Sequence, residues 1–331
     1  MTVNKQSLLA PAEVRAIVAA AGRAPSVHNT QPWAIAWDGV AFLITADTSR
    51  GLTITDRDGR ELVISCGAAL YSLRLALRKC GLDSHVVLMP TDDPRQLARV
   101  VPWRGLPASA AERRMFAAIA RRHTHRGQFD DRPVNAELAV WLQQAAGEEG
   151  AALLYLTHPG QRAHVLHLAG AAERELAQDP RVRDEITAWT PAPSERRQDG
   201  VPSWAYARPD SLVSADELPA RDFDLGRDIA QMQEPSRTSG TLAVLATEGD
   251  NAEDWLQAGQ ALQRLLVTAA QHSVFAAIHS QAIELPHTRS ELRRELCTAA
   301  TPQLLLRFGY AAVPTVPSVT PRRTTDDVLT I

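Results

Sequence analysis

Two stretches 192 positions apart carry one pattern, and that repeat limits what the chain can fold into. Gly67-Ala68-Ala69-Leu70-x-x-Leu73-x-x-Ala76 lies in an amphipathic run ending at Gly81. Gly259-Gln260-Ala261-Leu262-x-x-Leu265-x-x-Thr268-Ala269 lies in another, from near Asn251 to near His272, with the glycines 259 − 67 = 192 apart. Leucines at three- and four-residue spacing belong to any amphipathic helix. The shared Gly-x-Ala-Leu does not follow from that spacing. A glycine among small residues lets a second helix come close, so the repeat predicts two long helices meeting at the centre of a duplicated fold. With 331 residues, 45% of them hydrophobic, the chain has the length for two units and the apolar content for their cores.

The other segments alternate between helix and strand signals. Val14, Ile17, Val18 and Ala21 recur at i, i+3, i+4 and i+7 after Pro11, a first-turn proline. Ala34–Trp37 and Val40–Thr45 predict a hairpin around Asp38-Gly39. His85–Met89 reads as a strand, and helices are expected from Pro94 and from Ser109 to Arg122. Asn135 can cap a helix through Ala146, and Ala151–Leu156, Thr241–Thr247 and Pro302–Gly309 read as strands. An insertion at about 178–222 holds Pro191, Pro193, Pro202, Pro209 and Pro219, and its aromatic residues are Trp189, Trp204, Tyr206 and Phe223. A disordered linker rarely carries so many rings, and a long loop in a compact domain is commonly a lid. The rings of Trp189, Trp204 and Tyr206 are expected to cover a ligand.

A formal charge of −3 gives no electrostatic footprint for nucleic acid. No apolar run reaches the ~18 residues of a spanning helix, and Met1–Lys5 lacks a signal-peptide core, so a cytoplasmic protein without a membrane partner is expected. Cys66, Cys80 and Cys297 form no CxxC spacing; Cys66 and Cys80 fall in a helical pattern and read as buried free thiols. His123 and His125 have no companion Cys/His/Asp cluster, so no metal is expected.

The turn after the first helix is dense in polar groups. In Pro25-Ser26-Val27-His28-Asn29-Thr30-Gln31-Pro32-Trp33 the two prolines fix φ and remove two donors, while Ser26, Asn29 and Gln31 offer hydroxyl and amide groups. Such a surface suits a flat heterocycle with alternating donors and acceptors; a helix-capping turn has the same ingredients. Arg121-Arg122-His123-Thr124-His125-Arg126 and Thr320-Pro321-Arg322-Arg323 are two basic segments downstream. Paired guanidiniums suit a phosphate dianion, and basic residues also complement a helix C-terminus.

Pro25-Ser26-x-x-Asn29-x-Gln31-Pro32-Trp33 resembles the flavin-contacting signature of the nitroreductases, which hold FMN between two subunits. In that family the partner subunit adds an Arg-rich segment ahead of its first helix and basic residues near its C-terminus. Both elements lie downstream in this one chain. It therefore resembles two nitroreductase units fused end to end, most of all the Acg-type FMN-binding oxidoreductases, where Arg-Arg-His-Thr, the Gly59–Leu70 run and a Pro-Arg-Arg ending recur. His125 stands where that subgroup commonly has Asn. The resemblance implies an α+β nitroreductase-like fold with two tandem units, 1–106 and 107–331, forming a single-chain pseudo-dimer with a lid-like insertion in the second. It implies FMN contacts from Pro25, Ser26, Val27, Asn29 and Gln31, from Arg122, His123, Thr124 and Arg126, and from Arg322 and Arg323. Ile278, His279, Ser280 and Gln281 match the segment placed against the reactive N5 edge, with Ser280-Gln281 where many nitroreductases have an acidic residue and glycine. No dedicated catalytic side chain is implied.

A second flavin site would need its own copies of these elements. Met1–Ala10 holds only Lys5, Gln143–Gly150 lacks the Pro-Ser-x-x-Asn turn, and Val101–Arg104 offers one arginine. One FMN per chain is expected, in a monomer acting as its own pseudo-dimer. The implied activity is NAD(P)H-dependent reduction of a nitroaromatic, quinone or similar flat acceptor; the alternative is a flavin-sequestering protein with a closed lid.

Overall fold

A computed structural model describes residues 8–205, 218–227, 240–296, 298–312 and 320–331. Helix α1 (Pro11–Ala21) opens with its proline in the first turn and Glu13 folded back onto the Ala10 amide at 2.8 Å; it buries Val14, Ile17 and Val18. A hairpin follows, β1 (Trp33–Trp37) and β2 (Phe42–Ala46), closed by Asp38 Oδ1 accepting from the amides of Val40 and Ala41, with Gly39 at φ 89°. Next come α2 (Arg60–Lys79), β3 (Leu82–Leu88), β4 (Gln96–Arg104) and α3 (Ala110–Arg121), the last started by a Ser109/Glu112 capping box. The second half contains α4 (Ala136–Gly147), β5 (Ala152–Tyr155), α5 (Pro159–Gln178), α6 (Pro180–Ala188), β6 (Thr241–Thr247), α7 (Ala252–Gln271), β7 (Phe275–His279), α8 (Gln281–Glu284), α9 (Pro286–Glu295) and β8 (Thr301–Gly309). Helix α10 (Thr325–Val328) and β9 (Leu329–Thr330) end the chain.

The duplication is visible in the sheets of this α+β fold. One runs β3-β4-β2-β1-β9 and the other β7-β8-β6-β5, so four strands of each follow the same order, all antiparallel. The same junction is irregular in both, between Ile44 and Thr45 in β2 and between Leu245 and Ala246 in β6. Strand β9 joins β1 in parallel, which carries the preceding residues Thr320–Arg323 to the turn after α1.

Helices α2 and α7 pack along each other. A Cβ built on Gly259 would lie 2.0 Å from the Ile64 carbonyl and 2.8 Å from Gly67 Cα; one on Gly67 would lie 2.3 Å from the Leu256 carbonyl. No side chain fits there. The helices also trade core residues: Leu256 of α7 packs in the core of α1, α2 and the first sheet, and Ile64 of α2 packs in the core of α4, α7 and the second. Their offset, 256 − 64 = 192, equals that of the two glycines.

Three expectations need correction. The segment from Pro94 is strand β4, not a helix. Val100 and Val101 are β-branched and Pro102 cannot sit inside a helix, while pairing with both β2 and β3 buries Leu97, Ala98 and Val100. The insertion opens with helix α6, its N-cap Asp179 accepting from the Arg181 amide, rather than with a loop. Cys66 is buried with its thiol on the Pro32 carbonyl at 3.3 Å, but Cys80 is exposed at the end of α2. Cys297, Tyr206 and Pro209 lie outside the described residues.

Candidate functional site

The turn between α1 and β1 is held in a costly conformation. His28, Asn29 and Gln31 take φ of 45°, 57° and 51°, a left-handed region that costs most L-residues roughly 1–2 kcal/mol each, with Asn the most tolerant. Polar contacts fix it. Ser26 Oγ accepts from the Gln31 amide at 3.0 Å, and Ser65 Oγ of α2 accepts from the Val27 amide at 3.2 Å. Strain locked by its surroundings is a mark of a working site.

The turn forms one wall of a cavity of about 130 Å³. Glu61, Ile64 and Ser65, at i, i+3 and i+4, present one face of α2 to it, and Leu262 and Leu304 add apolar surface from α7 and β8. Thr124, His125 and Arg126 enter from the segment after α3, whose Thr124 bridges to Ala276 of β7. Ala277–Gln281 closes the far side. Of the sequence-predicted residues, Pro25, Ser26, Val27, Thr124, Arg126, Ile278, His279, Ser280 and Gln281 line this space. Sequence reasoning missed Glu61, His28 and Arg221. The i, i+3, i+4 spacing of Glu61, Ile64 and Ser65 was the available signal for the first.

Two chain segments lead from the cavity to a group of guanidiniums. Arg122 is buried, with Nη2 donating to the Arg23 carbonyl at 3.1 Å, while its Nε and Nη1, Arg23 Nε and Arg322 Nε are buried without a hydrogen-bond partner among the described residues. None of the three arginines is ion-paired to a carboxylate among the described residues. Burial, then the charges of Arg322 and Arg23, pushes the Arg122 guanidinium down to about 9; burial and Arg23 push Arg322 down to about 10. Buried cations are normally paired. This cluster has the donors and the uncompensated charge to hold a dianion. Arg23 was missed by sequence reasoning because it stands alone at a helix end, without the doubled-arginine signature.

The structure places several predicted ligands elsewhere. Arg323 donates to the Gln31, Trp33 and Asp327 carbonyls at 3.1, 3.4 and 2.6 Å, and its amide to Gln31 Oε1 at 2.8 Å, so it braces the turn. Asn29 Nδ2 donates to the Gly200 and Pro321 carbonyls at 3.0 and 3.1 Å, and its Oδ1 accepts from Arg322 at 2.8 Å. Gln31 Nε2 donates to the Gln198 carbonyl at 2.8 Å. Both amides are thus spent on the chain's own 198–200 and 321–323 segments. His123 lies outside the cavity wall, its Nδ1 near the Arg121 carbonyl and its ring 4.3 Å from Phe275.

The insertion returns over the cavity at Ala220–Phe223. Phe223 meets the His28 ring edge-on at 5.4 Å and lies under the Arg126 guanidinium at 5.1 Å. The Pro219 carbonyl sits 3.3 Å from His279 Nδ1 and 3.5 Å from Gln281 Nε2. Arg221 donates to both oxygens of Glu284 at 2.7 Å. Of the aromatic residues expected to cover a ligand, Trp189 is held between Arg50 and Arg197 and Trp204 packs against the small core of Leu176, Val182, Ile186, Val201, Ala205 and Phe223; neither lines the cavity. Among the described residues of the insertion, the aromatic ring that does is Phe223. Burial lowers His28 well below the usual imidazole range and His279 to about 3, so both rings are neutral, and their Nε2 atoms have no hydrogen-bond partner among the described residues.

No family model matches the chain. Whole-chain relatives do. A Mycobacterium tuberculosis protein without an assigned function is 31% identical over 322 residues, covering 93% of this chain and 90% of its own length. Another from the same organism, provisionally named an NAD(P)H nitroreductase, is 29% identical over 331 residues, covering 96% and 90%. A third, provisionally named the NAD(P)H nitroreductase acg, is 27% identical over 321 residues, covering 95% and 94%.

The chain belongs to the nitroreductase family of oxidoreductases.

Among solved structures, a nitroreductase with bound FMN from Desulfitobacterium hafniense aligns at a TM-score of 0.40 and 10% identity, over 66% of this nitroreductase and 98% of its own chain. No helix among the described residues of this nitroreductase is long and apolar enough to cross a membrane.

Proposed function

We propose that this nitroreductase holds one FMN per chain and uses it to pass hydride from NAD(P)H to a nitroaromatic, quinone or similar flat acceptor. The observation that carries the reading is the cluster of Arg122, Arg322 and Arg23, four of whose buried nitrogens lack a hydrogen-bond partner among the described residues, two residues along the chain from Pro25 and Thr124 in the wall of a cavity also lined by Ile64, Leu262 and Leu304. A phosphate dianion would satisfy the cluster, and an aromatic ring would suit the apolar walls. When bound, FMN supplies hydride transfer at its N5 position. The chain's own residues do the rest. Arg122, Arg322 and Arg23 bind the phosphate, and Thr124 and Arg126 place a donor and a cation at the cavity wall. Ala277–Gln281 bounds the reacting face, and Phe223 excludes water. Arg323, Asn29 and Gln31 act one step back by fixing the turn.

The duplicated sheets support a division at about residue 106 and a monomer that forms both halves of its own site, although β9 returns the C-terminus to the first sheet. A single site is supported by the turn itself: Gly22–Pro32 of the first half is replaced in the second by the short Glu148–Ala151 connection. The test is turnover. Protein reconstituted with FMN should oxidise NAD(P)H with menadione or a nitrofuran as acceptor, whereas no turnover with any flat acceptor would overturn the enzymatic reading.

One observation favours a second reading. Ala220–Phe223 already covers the cavity through Arg221, His279 and Gln281, as a flavin-sequestering protein would require. Stopped-flow reduction separates the two: slow reduction by NAD(P)H with fast reduction by dithionite indicates sequestration, and fast reduction by both indicates a reductase.

A further inference from the structure

Behind the cavity wall formed by α2 lies a buried group of charges that is not balanced. Glu61 receives Arg60 Nη2 at 2.8 Å, Arg221 holds Glu284 at 2.7 Å and reaches Glu173 at 3.9 Å, and Asp56 accepts the Glu61 and Leu62 amides at 2.9 Å. The Glu61, Arg60, Arg221 and Glu284 side chains are each under a tenth exposed. Among the described residues of this group, four carboxyls therefore face two guanidiniums, with Arg126 and Arg307 on the cavity side. Arg289 of α9 adds no free charge, since it is bound to Asp250 at 2.7 and 2.8 Å. Surplus negative charge is not carried in a dry interior; such a cluster keeps a proton instead. Only Glu61 of the four carboxyls borders the cavity, on the same helical face as Ile64 and Ser65.

We propose that Glu61 donates the proton that accompanies hydride when an acceptor is reduced in this cavity, an assignment that rests on the hydride-transfer reading above. The balance is one proton per hydride. A quinone takes hydride at one centre and a proton on oxygen to give the hydroquinone. A nitro group takes hydride and a proton, one N–O bond breaks, and a nitroso group and water leave. In each case NAD(P)H is the oxidised partner, the Glu61 carboxyl gives up its O–H proton and becomes a carboxylate beside Arg60, and solvent returns the proton before the next turnover. Burial, then the charge of Glu284, pushes the Glu61 carboxyl up to about 8, with Arg60 and Arg221 opposing and Asp56 assisting. Asp56 and Glu173 are pushed up by burial as well. The proton is thus present at neutral pH, and a general acid works best when its pKa lies near the working pH.

Two measurements test this. The first needs no turnover. Infrared difference spectra of the apo-protein titrated from pH 6 to 10 should show a protonated carboxyl lost with a midpoint near 8, absent in Glu61→Gln. No such band in the wild type, or an unchanged band in E61Q, overturns the assignment even if the protein turns over. The second is stopped-flow on the FMN-loaded protein. In the wild type, acceptor reduction should slow about tenfold per pH unit above the midpoint. E61Q should slow it at least tenfold at pH 7 and flatten the profile, a loss larger than any in flavin reduction by NAD(P)H. Glu61→Asp should keep the pH dependence at an intermediate rate. Equal losses in both half-reactions, or an unchanged oxidative step, would overturn the role. If no variant, wild type included, passes hydride to any acceptor while the infrared band is present, the hydride-transfer reading has failed and the buried proton has not.

Discussion

Replacing Gly259 with alanine should open the crossing on which both halves depend. The added Cβ would sit 2.0 Å from the Ile64 carbonyl and 2.8 Å from Gly67 Cα, and neither is the end of a flexible side chain. Relief requires α2 and α7 to separate by about 1 Å, and a gap of 0.5–1 Å forfeits a quarter to a half of each dispersion contact. For roughly 40–60 atom contacts at ~0.15 kcal/mol the loss is roughly 1.5–4.5 kcal/mol. Alanine returns ~1 kcal/mol through helix propensity. The net expectation is about 1–3 kcal/mol of destabilisation, the usual range for overpacking. Because Ile64 and Leu262 face the cavity from these two helices, FMN affinity should fall as well. Gly147→Ala is the control: a Cβ there meets nothing within 4 Å, so stability should hold or rise by about 0.4–1 kcal/mol. Urea unfolding of the two variants beside the wild type decides the matter. G259A as stable as G147A would refute the close crossing.

Three further outcomes follow from the site. Arg122→Ala and Arg23→Ala should each weaken FMN binding by about 1.5–3 kcal/mol while leaving riboflavin nearly unaffected, whereas Arg323→Ala should lower stability and weaken both ligands alike, as measured by fluorescence titration. His279 is held neutral down to about 3 in the fold but titrates near 6.5 when unfolded, so folding loses about 1.4 kcal/mol per pH unit as pH falls through that window; His279→Asn should remove this part of the acid limb in urea melts taken from pH 7 to 4. Phe223→Ala removes the ring packed between His28 and Arg126, and should speed FMN release about tenfold in a dilution assay, an aromatic contribution of ~1.4 kcal/mol.

The elements that were legible in the sequence are those whose local chemistry and tertiary role agree. Asp38-Gly39 closes the hairpin because the Asp38 carboxylate accepts the turn amides and Gly39 takes a positive φ at little cost. Gly67 and Gly259 announced the helix crossing because no other residue fits two backbones so close. Strand β4 was misread because its environment, two neighbouring strands, lies outside the segment itself. Pro25, Ser26 and Val27 of the turn, Thr124 and Arg126, and the Ile278–Gln281 segment were reached through the resemblance to the nitroreductases, whereas His28 beside them was not. Arg323, Asn29 and Gln31 carry the right chemistry but are turned onto the chain's own carbonyls, which no motif reveals. Arg23 and the carboxyls around Glu61 came to light only with burial, since an unpaired charge is a property of surroundings and not of residue type.

The central claim is a single anion-anchored flavin site per chain, and calorimetric titration of the apo-protein with FMN tests it most directly. The account predicts one equivalent of FMN bound, with riboflavin at least about a hundredfold weaker for want of the phosphate contacts of Arg122, Arg322 and Arg23. Two equivalents, none, or equal affinity for FMN and riboflavin would contradict it.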